Sequence, residues 1–350
     1  MRLNVVFAMS VLMILSMGLS TRAEEVTPPS ATKAKHTIRW LLAHEPARVF
    51  LRAAKQFKEE IERETKGEIA VEVLTVSEYL AKYKTPDSYK KGRLLDDVAL
   101  LRDGRIEMTQ TYTTELGHLN PKLWVLDLPF LFRSHDHAKT VLDGEIGKGI
   151  LAGLDKNNVH GLAFTYSGGY RVLASKDRPI NSVESIKGLT VRISRSPVAK
   201  ATFETLGAKV VGMDHDLAIQ NIGSQNGITA AETTFARYDD NTKKMAPILN
   251  DTQHSLFLTS MVVNKGFFDA LPANLQRAIA TATKNAAATE RSDSLADEAD
   301  LRKNYGVQGL QLVSMPEVEK EKMKKLVAPV YKKFTPMFGA GLIADIQKAQ

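Results

Sequence analysis

The run Lys187-Gly-Leu-Thr-Val-Arg192-Ile-Ser-Arg-Ser-Pro197 places one guanidinium where it could hold an anion. Leu189, Val191 and Ile193 alternate with Thr190, Arg192 and Ser194, the period-2 pattern of a short half-buried strand. Arg192 then stands on the face opposite the apolar residues, just before Ser196-Pro197 opens a helix. A guanidinium at a strand end can clamp a carboxylate through two parallel hydrogen bonds, a geometry that lysine does not reproduce. The same side chain could equally form an ordinary ion pair with Glu184 or Glu204.

Other chemistry is hard to assemble from this chain. It has no Gly-x-Ser-x-Gly elbow, no His-Glu-x-x-His and no phosphate-binding glycine loop. Ser88-Tyr-Lys-Lys91 matches Ser-x-x-Lys, but the partner motifs of a penicillin-binding enzyme are missing. Eight histidines are scattered without ligand spacing. Ser134-His-Asp-His137 reads as a helix start, with Ser134 as N-cap and Asp136 in the first turn. The alternative, a metal held by His135 and His137, lacks a third ligand at matching spacing. With no cysteine, disulfides, thiolate metal sites and a cysteine nucleophile are excluded. No catalytic group, metal or cofactor is expected.

The chain is long enough, at 350 residues, to divide into two lobes, and its 25% charged content is that of a water-soluble protein. Residues 1–23 read as a cleavable signal peptide: Arg2 gives a positive start, Val5 to Leu19 an apolar core, and Thr21-Arg-Ala23 a cut after Ala23. Export to the periplasm follows, and without cysteine no lipid anchor can be attached. Residues 24–35 read as a disordered lead-in. The formal net charge is +7, of which Arg2 and Arg22 leave with the leader. A modest positive field favours capture of small anions, and an exported protein seldom meets nucleic acid.

Thr37 to Ala43 is expected as a first strand. A helix follows from Pro46 with Val49, Phe50, Ala53, Ala54, Phe57 and Ile61 on its apolar face, then a strand around Ile69, Val71 and Val73. The His44-Glu45-Pro46 loop lies at the carboxyl end of that first strand, where open α/β sheets bind ligands. Leu94 to Leu101 reads as a helix, and Arg105 to Thr109 as a strand delivering Gln110 to Glu115 to the same edge. Leu126 to Phe132 should be buried, and one helix should run from Ser134 to Leu154. Val159 to Tyr166 reads as a strand crossing toward the second lobe. Asp214-His215-Asp216 caps a further helix, and Asp251 to Thr259 returns to the first lobe. Pro272 opens a pattern free of Gly and Pro to about Asn304, a helix roughly 48 Å long at 1.5 Å per residue. A last helix is expected with Val318, Met323, Leu326, Val327 and Tyr331 on its apolar side.

The order of Leu128-Pro-Phe-Leu-Phe-Arg133, Gly168-Gly-Tyr-Arg171, Arg178-Pro-Ile180, Ser185-Ile-Lys-Gly-Leu189, Val191-Arg192, Leu206-Gly-Ala208 and Ala270-Leu-Pro272 resembles one family. It is that of the DctP-type solute-binding proteins of tripartite ATP-independent periplasmic (TRAP) transporters, and the likeness covers roughly residues 36 to 340.

That resemblance implies an α/β, two-lobed periplasmic binding protein fold of type II-like form. Each lobe is a mixed sheet flanked by helices, and a long helix spans both. Lobe I would hold residues 36–167 plus 259–299, and lobe II residues 168–258 plus 300–350. Arg192 and Arg171 correspond to two arginines that approach the ligand in the family, and Tyr112 stands where some members carry an acidic residue. Its bland role is packing at a sheet edge. His215 falls near a pocket-lining aromatic, or is simply a capping-turn histidine. Glu232 and Thr233 occupy the site of a Val-Asp-Gly-Gln-Glu-Asn-Pro run; the Glu is kept, while Thr233 replaces an asparagine that often reaches the ligand. Threonine has a shorter reach and one hydroxyl. The implied partners are a small organic acid anion and the small and large TRAP membrane subunits. A sensor that binds the same kind of ligand is the alternative function, and a periplasmic enzyme a more distant one.

Overall fold

The structure, a computed structural model, describes residues 34–43, 48–91, 94–213, 218, 221–223, 227–238, 240–305 and 310–350. The expected signal peptide, most of the expected lead-in, His44, Glu45 and His215 therefore lie outside the described residues.

Alternating apolar residues build β1 (His36–Leu42) and β2 (Ile69–Thr75), which pair in parallel through the helix Arg48–Glu64. That helix buries Val49, Phe50, Ala53, Ala54, Phe57 and Ile61, the face its sequence period specifies. A small hairpin of β3 (Lys90–Lys91) and β4 (Leu94–Leu95) follows. Leu94 and Leu95 thus belong to a strand, because Asp96 caps the next helix through Ala99 N–H and starts it only at Asp97. Next come β5 (Met108–Tyr112) and β6 (Val159–Tyr170). β5 begins three residues later than the sequence reading placed it, so Gln110 is a buried strand residue and not part of a loop. Between them, Gly144 divides the expected long helix into His135–Asp143 and Glu145–Ala152.

The chain then makes β7 (Val172–Ser175), β8 (Thr190–Ile193), β9 (Lys209–Gly212), β10 (Ala230–Thr233), β11 (Ile248–Asp251), β12 (Leu256–Asn264) and β13 (Gln311–Ser314). Two mixed sheets result, each flanked by helices, in a two-lobed fold. One has the order β2-β1-β5-β12-β6, the other β13-β11-β7-β10-β8-β9. The expected strand from Asp251 to Thr259 is really two. Asp251 ends β11 in the second sheet, Gln253 takes a φ of +48°, and Leu256 begins β12 in the first.

The opposite passage, from β6 to β7, runs through Gly168 (φ +90°) and Gly169 (φ +84°). A β-carbon at Gly168 would lie 2.3 Å from the Thr234 hydroxyl, so only glycine fits there. At this place the β6–β12 register shifts between Phe257 and Leu258. Arg171 follows directly between the two sheets.

The helix Ala273–Asn304 links both sheets. Leu275, Ile279, Ala282 and Ala286 join the core of the first, while Leu301 and Tyr305 pack with Val172, Ala231 and Leu249 of the second. The last long helix, Glu317–Phe338, buries Met323, Val327, Val330, Phe334 and Phe338. Met323 and Val327 lie on the buried side as expected, whereas Val318 and Leu326 are exposed. No described helix is long and apolar enough to cross a membrane.

Candidate anion-binding site

β8 lies between β10 and β9, parallel to both, and its successive residues Val191, Arg192 and Ile193 are all buried, so both of its faces are covered. Arg192 is consequently only 7% exposed. Its Nε donates to the Met213 carbonyl at 2.7 Å and its Nη1 to the Glu232 carbonyl at 3.3 Å. These two main-chain acceptors fix the plane of the fork. Burial pushes its pKa down to about 10, with Arg171 and Arg237 adding to the strain and Glu232 opposing it. The ion-pair alternatives are ruled out by geometry: Glu184 is held by Lys322 at 2.6 Å and Glu204 by Lys200. Among the described residues no carboxylate reaches ion-pair distance of Arg192, although the charge is buried.

Glu232 organises the neighbouring groups. Its Oε2 accepts from Ser194 N–H at 3.2 Å and faces Arg171 Nη1 at 3.5 Å. Its Oε1 lies 2.9 Å from His254 Nε2, and His254 Nδ1 is 2.8 Å from the Thr252 hydroxyl. Burial alone would raise the Glu232 pKa. Arg171, His254 and Arg192 outweigh it and hold the carboxylate at about 2. Both its oxygens are therefore committed to protein groups, and Glu232 acts as framework. Thr233 is buried beside it, its hydroxyl 3.4 Å from the Thr234 carbonyl.

Arg171 is anchored by its own N–H to the Ser255 carbonyl at 2.8 Å, and its guanidinium carbon sits 3.6 Å from the centroid of Phe257. Phe257 stacks on Tyr112, with centroids 4.9 Å apart and planes at 15°. The Arg237 guanidinium lies 5.6 Å from the Tyr112 ring. Tyr112 and Phe257 belong to the first sheet, whereas Arg237 follows β10 of the second. The structure thus brings Arg192, Arg171, Glu232, Thr233 and Tyr112 into one region between the sheets. The placement of His44, Glu45 and His215 lies outside the described residues.

Sequence reasoning missed four members of this region. Asp127 is buried, and desolvation pushes its carboxyl up to about 6 against the pull of Arg171 and Ser196. An acid inside the apolar run Leu126 to Phe132 was a usable signal. His254 was hidden because its segment read as continuous strand. Phe257 and Arg237 left no local pattern. His135 and His137 show what a capping turn does with histidines. Ser134 accepts from His137 N–H, while the His137 ring meets Arg133 N–H at 3.1 Å and the Ile346 carbonyl at 2.7 Å.

The arrangement can take up negative charge, and its hydroxyl–imidazole–carboxylate chain, Thr252–His254–Glu232, is buried in the protein. Comparisons agree with that chemistry. Residues 43–336 match the family described as bacterial extracellular solute-binding protein, family 7, DctP. The C4-dicarboxylate-binding periplasmic protein DctP of Rhodobacter capsulatus is 25% identical, over 85% of this chain and 86% of its own. A TRAP periplasmic solute-binding protein from Sulfurospirillum deleyianum, solved with bound succinate, superposes with a TM-score of 0.77 at 22% identity. It covers 91% of this chain and 100% of that one. A Roseobacter denitrificans protein of the same kind, solved with β-D-glucuronate, gives 0.78 at 23% identity, covering 90% and 100%. The match over most of its length shows that this chain belongs to the DctP family of TRAP solute-binding proteins.

Proposed function

We propose that this protein is the periplasmic receptor of a TRAP transporter, capturing a small organic acid anion by lobe closure and handing it to the small and large membrane subunits. The observation that carries the reading is Arg192. It is a guanidinium buried to 7% exposure, aligned by two carbonyls, with no carboxylate among the described residues at ion-pair distance and Glu232 shared with Arg171. A buried cation without a counter-ion in contact is costly, and an anionic ligand supplies one. Arg171 contributes a second positive group already oriented by Glu232 and Phe257. Tyr112 supplies an aromatic wall from the other sheet.

A ligand touching groups of both sheets favours the closed arrangement by its differential affinity for it. The chain's part ends at capture and presentation, so it is a binder and not an enzyme; its relatives are solute-binding receptors. Thermal-shift measurement of the purified chain against a panel of organic acids tests the reading. Stabilisation by one or more carboxylates, absent in Arg192→Ala, is expected. A panel without effect on the native chain contradicts it.

A further inference from the structure

The helix Glu317–Phe338 has two faces of different character. Met323, Val327, Val330, Phe334 and Phe338 form the buried one. Away from it stand Lys322, Lys325, Lys332 and Lys333, all four exposed. Leu326, Pro329, Pro336 and Met337 lie among them and are exposed as well. At 3.6 residues per turn these positions share one ridge, roughly 22 Å long from Lys322 to Met337 at 1.5 Å per residue.

Two observations set this ridge apart from an ordinary solvated face. Of the five large apolar side chains exposed among the described residues, Val318, Leu326 and Met337 belong to this one helix. The charge is one-sided too: from Lys322 to Phe338 the chain has five lysines and no aspartate or glutamate. Lys322 is paired with Glu184, and Lys324 with Glu321. Lys325, Lys332 and Lys333 have no carboxylate at ion-pair distance among the described residues. Glu204, which lines a shallow groove together with Lys333, is held by Lys200.

A convex ridge of unpaired lysines and apolar side chains suits a flat anionic partner with an apolar layer just beneath its charges. Lysine stems lie along apolar surface while their ammonium groups stay at the charged level. Leu326 and Met337 can enter the layer below. An acidic protein would match the charge, but the ridge presents no aromatic side chain of the kind on which protein interfaces centre.

We infer that the outer face of Glu317–Phe338 is a membrane-association surface that rests on anionic lipid headgroups. Each lysine near such a surface strengthens binding about fivefold, so the three unpaired ones give about a hundredfold. That is a reversible hold, and salt screens it. It is separate from ligand capture, because no residue of the ridge belongs to the Arg192 region.

Flotation with vesicles tests this, using the purified chain from Glu24 onward so that the apolar run Val5 to Leu19 contributes nothing. Vesicles of phosphatidylcholine mixed with phosphatidylglycerol should bind it at least about tenfold tighter than phosphatidylcholine alone, and high salt should erase the difference. Lys325→Glu, Lys332→Glu and Lys333→Glu together should abolish the preference. Lys55→Glu, Lys84→Glu and Lys284→Glu change the net charge equally at exposed positions elsewhere and should largely keep it. Leu326→Ser with Met337→Ser should weaken binding to the anionic vesicles several-fold, which a purely electrostatic contact would not show. Unchanged thermal melting establishes that each variant is folded. Equal binding to both vesicles, an equal loss in the two lysine triples, or no effect of the serine pair would overturn the inference. The ridge would then be a solvated face or the seat of an acidic protein, and the Arg192 reading would be untouched.

Discussion

The carboxylate of Glu232 lies 2.9 Å from the imidazole of His254, and through that contact the passage from β11 to β12 is tied to the strand that precedes Arg237. Glu232 faces His254 with one oxygen and Arg171 with the other. Arg171 stands on the passage from β6 to β7, His254 on the passage from β11 to β12. A single buried acid thus bridges both connections about which the lobes would move.

Glu232 should leave a clear signature in acid. Its carboxyl titrates at about 2 in the folded chain and at about 4.3 when unfolded. The lowered value means its stabilisation is complete above about pH 5 and is lost as pH falls through 2, on the order of 3 kcal/mol in all. Glu232→Gln should cost about 3–5 kcal/mol near neutral pH by stranding the Arg171 charge. Urea denaturation of both proteins from pH 7 to pH 3 checks this; an unchanged acid slope in the variant contradicts it.

Glu290 should act in the opposite direction. It is buried under the first sheet, accepting from Gln110 Nε2 at 2.7 Å and from the Thr165 hydroxyl, and burial pushes its carboxyl up to about 8. A raised carboxyl pKa means the stabilisation is full below the unfolded value of about 4.3 and is lost as pH rises through 8, on the order of a few kcal/mol. Glu290→Gln keeps an amide oxygen for the same donors and removes the charge. The variant should be the more stable protein at pH 8.5, by about 1–3 kcal/mol, with little difference at pH 5, as read by thermal denaturation.

Phe257 should matter through Arg171. A desolvated guanidinium over an aromatic face is worth about 2 kcal/mol. Phe257→Leu keeps an apolar side chain but removes the face. It should lower stability by about that amount and weaken acid binding several-fold, measured by denaturation and calorimetry on one preparation.

Arg302 should hold the end of the linking helix. Its two terminal nitrogens reach Asp251 at 2.7 and 3.0 Å, and its guanidinium carbon sits 4.1 Å from the Phe235 ring. Arg302→Gln should speed hydrogen exchange in the last two turns of Ala273–Asn304 by about tenfold while leaving the first half of the helix unchanged.

The fold was largely legible because its signals are local. Helix Arg48–Glu64 buries the six residues its 3.6 period picks out, and helix Ala273–Asn304 runs as far as its Gly- and Pro-free stretch. Where the reading failed, a single residue overrode the pattern: Gly144 broke one helix, and Gln253 at positive φ cut one strand into two. The site was legible in part. Arg192 and Arg171 stood out by type and order, but Asp127, His254 and Arg237 become neighbours only through tertiary contacts that no period encodes. The β8 pattern also predicted a half-exposed arginine. Cover on both faces of β8 buried it, and that burial is what gives its charge consequence.

The central claim is that the Arg192 fork grips the ligand's carboxylate with two hydrogen bonds. Calorimetric titration of the tightest-binding acid into the native chain and Arg192→Lys tests it most directly, because lysine keeps the charge and loses the fork. The account predicts at least a tenfold loss of affinity, corresponding to about 1.4 kcal/mol or more. Equal affinity in the two proteins would contradict it.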